Sequence, residues 1–159
     1  MSRSFVVIVA LALTTPALAA EPSKSGSFKT ISGFKAVEET TQVGDKHALG
    51  HGTSWGIITD DNPLNIKAAM CPYISELNGD TILFNGRCAW SDGDGDQIFT
   101  EWTGKFSVSA RAGDGAQTFT GGSGKFSGIQ GSNPFKCQIV SAKGQFTCSQ
   151  QWTYQLSSK

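Results

Sequence analysis

Apolar and polar side chains alternate along much of this chain with the two-residue period of β-strands. The pattern is cleanest near the C-terminus. There Phe146, Cys148, Trp152, Tyr154 and Leu156 stand against Gln145, Thr147, Ser149, Gln151, Thr153 and Gln155, and Gln150 is the single polar residue on the apolar side. Over residues 81–90 the apolar side is Ile82, Phe84, Gly86, Cys88 and Trp90. Gly86 in that row reads as a bulge or a close backbone approach. Residues 105–111 alternate as well, with Phe106, Val108 and Ala110 on one face. Further strands are expected around residues 28–37, 53–59, 66–74, 97–103 and 117–120, which brings the count to eight or nine. The triplets Gly104-x-Phe106, Gly124-x-Phe126 and Gly144-x-Phe146 recur at 20-residue intervals, about the length of one hairpin. Together these features predict an all-β fold: an antiparallel up-and-down β-barrel of about eight strands, spanning residues 28–159 as one domain after a loose lead-in at 20–27.

The N-terminal segment has a different character. Arg3, an apolar run over residues 5–13, Pro16 and the Ala17-Leu18-Ala19 pattern form a secretory leader at residues 1–19, cleaved after Ala19. The run is short for a bilayer span, and no later segment resembles one. Export, to a periplasm or the extracellular space, lets Cys71, Cys88, Cys137 and Cys148 oxidise into two disulfides. Zinc is the alternative use of four cysteines, but no C-x2-C pair occurs among them. Hairpin registers choose among the three connectivities. A turn centred on Gly79 and Asp80 sets Leu77 against Ile82 and Cys71 against Cys88. A two-residue turn at Ala142 and Lys143 sets Ser141 against Gly144, Ile139 against Phe146 and Cys137 against Cys148. Directly opposed cysteines lie within disulfide reach.

Composition narrows the function classes. With 159 residues, 13 basic and 13 acidic side chains and no basic run, the chain is one nearly neutral domain without the electrostatics of a nucleic-acid partner. The 19 Gly, 10 Phe and 4 Trp suit a turn-rich β domain better than a helical bundle.

Candidate chemistry is sparse. Asp92-Gly93-Asp94-Gly95-Asp96 sets three carboxylates at alternate positions of a glycine-rich loop, which fits a Ca2+ loop or a solvated turn. The helix-flanked calcium pattern is not met, since Gln97 and Thr103 occupy the positions of its Gly and Glu. No other cofactor is indicated. His47 and His51 would share one face of a strand and could hold a metal with a third ligand from elsewhere, or stand as surface histidines. No G-x-S-x-G elbow is present, and the cysteines are committed to disulfides. Glu38, Glu39, Glu76 and Glu101 are the carboxylates that could act as acid or base in a pocket. Glu101 is the foremost, because both faces of its strand are partly apolar, with Phe99 on its own side and Ile98 and Trp102 on the other, so that it either lines an interior or stands at a rim or surface position.

The string Thr120-Gly121-Gly122-Ser123-Gly124-Lys125-Phe126-Ser127-Gly128-Ile129-Gln130-Gly131 resembles the GGSG-x-F-x-G-x-x-G signature of plant allene oxide cyclases. More loosely, it resembles a corresponding motif of dirigent proteins. Gly52-Thr53-Ser54-Trp55-Gly56, the Cys71/Cys88 pair and Asp94-Gly95-Asp96 are similar to features of exported bacterial proteins with an allene-oxide-cyclase-like barrel. The resemblance implies an eight-stranded antiparallel barrel with an apolar cavity, often assembled as a trimer. It implies a structural role for Gly121, Gly122, Ser123, Gly124, Phe126, Gly128 and Gly131 at a turn between strands. It carries over no catalytic residue, because no motif in the earlier strands matches.

Three functions remain open from the sequence. The first is a barrel that binds a small apolar or aromatic ligand. The second is an isomerase or cyclase that works by holding a reactive substrate in one conformation. The third is a structural or assembly protein.

Overall fold

The computed structural model describes residues 23–157. The expected leader and its cleavage site lie outside the described residues. Eight strands follow in sequence: β1 (Ser25–Gly44), β2 (His47–Ile58), β3 (Ile66–Asn78), β4 (Thr81–Asp92), β5 (Gln97–Ser107), β6 (Ala112–Gly122), β7 (Gln130–Ser141) and β8 (Gln145–Gln155). Each pairs antiparallel with the next, and β8 closes onto β1, so the sheet is a closed up-and-down barrel. Closure leaves no unpaired sheet edge. Tight turns join the strands in pairs at one end. The β4–β5 loop, the two longer connections β2–β3 and β6–β7, and both ends of the described chain lie at the other.

Strand alternation sends one row of each strand inward, and the inward rows combine aromatic rings with glycines in direct register. Cross-strand pairs of this form include Phe34 with Gly56, Gly52 with Tyr73, Gly86 with Trp102, Phe106 with Gly113, Gly115 with Phe135, and Gly26 with Tyr154. A methyl group on any of these glycines would crowd its partner ring. At Gly86 a Cβ would fall 2.5 Å from Trp102 Nε1 and 2.7 Å from the Pro72 carbonyl oxygen. Gly86 is therefore a close approach, and not a bulge, since the register runs unbroken through Gly86–Trp102.

The end with the longer connections is packed solid. Trp90 and Trp152 are wholly buried and meet edge to face, centroids 4.9 Å apart. Below them Leu64, Ile66, Ile98 and Phe126 fill the axis. Phe126 arrives on a short 3-10 turn, Gly124–Phe126, between β6 and β7. Gly124 has φ of 51° and sits against the Asp96 carboxylate, so both backbone and space exclude a side chain there.

The same turn is fastened to the acidic β4–β5 loop. Asp92 Oδ1 accepts the backbone N–H groups of Asp94, Gly95 and Asp96 at 2.9, 2.7 and 2.9 Å. Its Oδ2 lies 2.5 Å from Lys125 Nζ, which also reaches Asp94 Oδ2 at 2.9 Å. The Lys125 N–H donates to Asp96 Oδ2, and the Gln97 N–H donates to Ser123 Oγ. Burial alone would raise the Asp92 pKa. The hydrogen bonds and charge of Lys125 and the N–H groups of Asp94 and Gly95 outweigh it and hold the carboxyl below the usual carboxylate value.

The structure also corrects several expectations. Residues 97–107 form one strand, and 108–111 are its turn, so Val108 is exposed and not on a buried face. The β7–β8 connection has three residues, Ala142–Gly144. Ser141 pairs with Gln145, and a register shift after Ile139 absorbs the extra residue while keeping Cys137 opposite Cys148. The three Gly-x-Phe triplets occupy a strand interior, a 3-10 turn and a hairpin turn, so their spacing marks no structural repeat. β1 begins at Ser25, inside the stretch expected to be loose, and pairs there with Gln155.

Both disulfides form as the registers require, Cys71 with Cys88 across β3–β4 and Cys137 with Cys148 across β7–β8, with Cα atoms 4.1 and 4.0 Å apart. Among the described residues no helix is long and apolar enough to cross a membrane. The outer wall carries its own apolar row, with Trp55, Met70, Ala89 and Phe99 in successive register across β2 to β5.

The ring-on-glycine packing predicts that Gly86→Ala lowers stability by about 1–3 kcal/mol in denaturant melts. Gly33→Ala, whose added methyl meets nothing within 4 Å, should be neutral or slightly stabilising.

Lys125→Met strands the buried Asp92 oxygen and should lower stability by about 2–4 kcal/mol. The folded Asp92 pKa is depressed, so its stabilising contribution is complete above its unfolded value near 3.8 and is lost as pH falls through the lower folded value. Asp80 also has a depressed pKa, from hydrogen bonds with Ser107 and Ser109, and is common to both chains. Between about pH 5 and about pH 2, Asp92→Asn should therefore lose less stability than the native chain.

Candidate functional site

Above the tryptophan layer the barrel is hollow. A cavity of about 210 Å³ opens toward the end with the tight turns. Several of the rings that line it pack over the glycine opposite them, in the space a side chain would otherwise take. Phe34 stacks on Phe146 at 5.0 Å. Tyr73, Phe84, Trp102 and Phe106 form a continuous aromatic side, neighbouring centroids 5.3 to 6.1 Å apart. Both disulfides also face the cavity, so the covalent staples across β3–β4 and β7–β8 support its walls.

The floor is polar and mostly satisfied from within. Gln150 Oε1 accepts hydrogen bonds from Ser32 Oγ at 2.5 Å and Thr30 Oγ1 at 3.3 Å, while Trp152 Nε1 donates to Thr30 Oγ1 at 3.0 Å. Gln117 Oε1 accepts from Trp90 Nε1 at 3.0 Å and Thr100 Oγ1 at 2.6 Å. The polar interruption of the β8 pattern, Gln150, is thus a buried member of a hydrogen-bonded layer that separates the packed half from the hollow half.

One charged side chain lines the cavity, Glu38 on β1, at its mouth. Its Oε2 accepts from the Tyr73 hydroxyl at 3.4 Å, and its Oε1 accepts from the Ser75 hydroxyl. Gly50 leaves the room for this group, since a Cβ there would strike both Glu38 and Ser75. The Tyr73 phenol is pushed well above its ordinary pKa, first by burial, then by the Glu38 charge and by the hydrogen bond to it. It is therefore a neutral O–H donor at any physiological pH. Glu38 stood in the sequence among several carboxylates. The signal that would have singled it out is its inward parity with Phe34 and Ala36, combined with the glycines opposite it on β2.

The remaining sequence candidates lie elsewhere. Glu101 is on the outer wall, half exposed, with Arg87 3.9 Å away. Its strand looked apolar on both sides because Phe99 belongs to the outer apolar row. His47 and His51 do share the outer face of β2, but each meets its own carboxylate, Glu76 at 3.0 Å and Glu39 at 3.7 Å. Asp92, Asp94 and Asp96 do not converge as calcium ligands: their oxygens are engaged by backbone N–H groups and by Lys125, whose ammonium takes the place of a cation. Among the described residues no three His, Cys, Asp or Glu side chains are grouped to hold a metal. The motif from Gly121 to Gly131 ends β6, forms the 3-10 turn and starts β7, at the end of the barrel opposite the cavity mouth.

No family model matches the chain, and no curated protein matches it. Among solved structures it is similar to the pterocarpan synthase dirigent protein GePTS1, with a TM-score of 0.53 and 12% identity over 92% of this chain and 98% of that one. At that identity the likeness is one of fold alone.

Proposed function

We propose that this chain is an exported barrel, periplasmic or secreted, that binds a small apolar or aromatic molecule in its hollow half. The observation that carries the reading is the contrast between the two halves of one barrel. The lower half is filled by tryptophan, phenylalanine and isoleucine, whereas the upper half keeps an aromatic-walled cavity open to the mouth. A barrel with a purely structural role gains stability by filling that space, since a void forfeits dispersion contacts. Export is supported by the leader pattern and by two disulfides, which persist in oxidising compartments.

A second reading is favoured by the polar group at the mouth. Glu38, Tyr73 and Ser75 place a carboxylate and two hydroxyls at the edge of an apolar chamber. An isomerase or cyclase acting by conformational control would use the walls to fix a reactive substrate and such groups to stabilise developing charge. The dirigent-like fold is compatible with either reading.

Displacement of an environment-sensitive apolar dye by a panel of one- and two-ring aromatics tests the binding reading. The native chain should bind members of the panel, and Ala36→Phe, which projects a ring into the cavity, should weaken them by about tenfold or more with an unchanged fold by circular dichroism. Failure of the native chain to bind any member, or binding indifferent to Ala36→Phe, would overturn it.

A further inference from the structure

We infer that the molecule taken by this cavity carries a cationic nitrogen on an aromatic or compact alkyl body, an arylalkylamine or a quaternary ammonium compound, with its charge at the mouth. The inference rests on the binding reading above and specifies its ligand. Three observations support it. First, Glu38 is the one charged residue of the lining, and no Lys, Arg or His lines the cavity. Second, no ion pair among the described residues includes Glu38. Its partners are the hydroxyls of Tyr73 and Ser75, which are neutral, so the negative charge is hydrogen-bonded but not compensated. Third, the wall beneath it is aromatic, with Tyr73, Phe84 and Trp102 within 5.4 to 6.1 Å of one another, Phe84 and Trp102 near parallel and Tyr73 set edge to face against Phe84.

These features act in one direction. Aromatic faces attract a cation through their quadrupole and repel an anion, and the carboxylate does the same by its charge. A neutral ligand of the same shape gains the apolar contacts but neither electrostatic contribution. Because Glu38 stands at the mouth it keeps part of its hydration, so pairing it with a cation does not require the desolvation that makes buried ion pairs unfavourable. Tyr73, held protonated, adds a donor to the carboxylate and no second charge, which leaves one negative charge for one ligand cation.

The test uses three probes of one size on the full mature chain: phenyltrimethylammonium, its carbon isostere tert-butylbenzene, and benzenesulfonate. By calorimetry at low salt, phenyltrimethylammonium should bind about fivefold to thirtyfold more tightly than tert-butylbenzene, and benzenesulfonate should bind most weakly. Glu38→Gln should bring the first ratio to about threefold or less, the share left to the aromatic side chains. Raising salt from about 20 mM to about 500 mM should narrow the ratio on the native chain, a readout that remains if the variant does not fold. Equal binding of cation and isostere, a preference for benzenesulfonate, or a ratio indifferent to salt would overturn the inference while leaving the cavity reading intact. Binding of none of the three would remove both.

Discussion

A ring laid on a glycine in the neighbouring strand is the interaction on which the rest of this barrel depends. An eight-stranded barrel has just enough interior for side chains to fill it. Large aromatics pointing straight to the axis would therefore collide. Opposing each ring with a residue that has no side chain lets the ring tilt sideways over the adjacent strand. It then buries its face against backbone and leaves the axis clear. Where the rings are largest and the glycines fewest, around Trp90 and Trp152, the axis is filled. Where Gly52, Gly86, Gly113 and Gly115 supply the wall, it is open. The site is thus a consequence of cross-strand register, and it is lost if the register slips by one residue, since that would turn every inward ring outward.

The closed end supplies what the open end lacks. Hollowing half of a small barrel removes core from it, and three devices at fixed places offset the loss. Two disulfides join neighbouring strands beside the cavity, where packing is thinnest. The Asp92–Lys125 pair binds the β4–β5 loop to the β6–β7 turn and holds Phe126 in the axis as a plug. The glutamine layer gives the open half a floor that satisfies the indole N–H groups below it. The glycine-rich string most recognisable in the sequence belongs to the plug. That is why it can resemble those of distant barrels without carrying information about a ligand.

How much of this was legible in the sequence follows from the range of each interaction. Strand alternation and hairpin registers are local. They were enough to expect about eight strands, to pair Cys71 with Cys88 and Cys137 with Cys148, and to mark Gly86 as either a bulge or a close approach. Boundaries between strand and turn were less legible: residues 105–111 alternate in sequence, yet the Asp80 carboxylate captures Ser107 and Ser109 and bends the chain there. The acidic loop was misleading for a different reason. Three aspartates in one loop suggest a cation, and the cation that Asp92 and Asp94 meet is Lys125, 31 residues beyond Asp94. The same holds for Glu38 and Tyr73, which lie on strands separated by a third and meet only because Gly50 and Gly52 on that strand leave the space between them. Glu101 stands on the outer wall, where an exposed Phe99 imitates a second buried face in the sequence.

The placement of Glu38 ties these strands of argument together. A carboxylate at an inward position of a barrel strand is disfavoured unless hydroxyls satisfy it or water reaches it. Here both conditions hold, and only at the mouth, where β1 rises above the aromatic wall. Moving the same residue two positions down, to the level of Ala36, would set its charge deeper in the barrel, beside Phe34 and Phe146, with the buried Ser54 opposite it in register. The position is therefore tolerable for the fold without being required by it. The hydroxyls of Tyr73 and Ser75 orient the carboxylate without neutralising it, and the glycines of β2 keep its approach clear. On the proposed binding reading, a carboxylate that is both solvated and set beside a cavity acts on what enters that cavity, and the closure of the barrel does not depend on it.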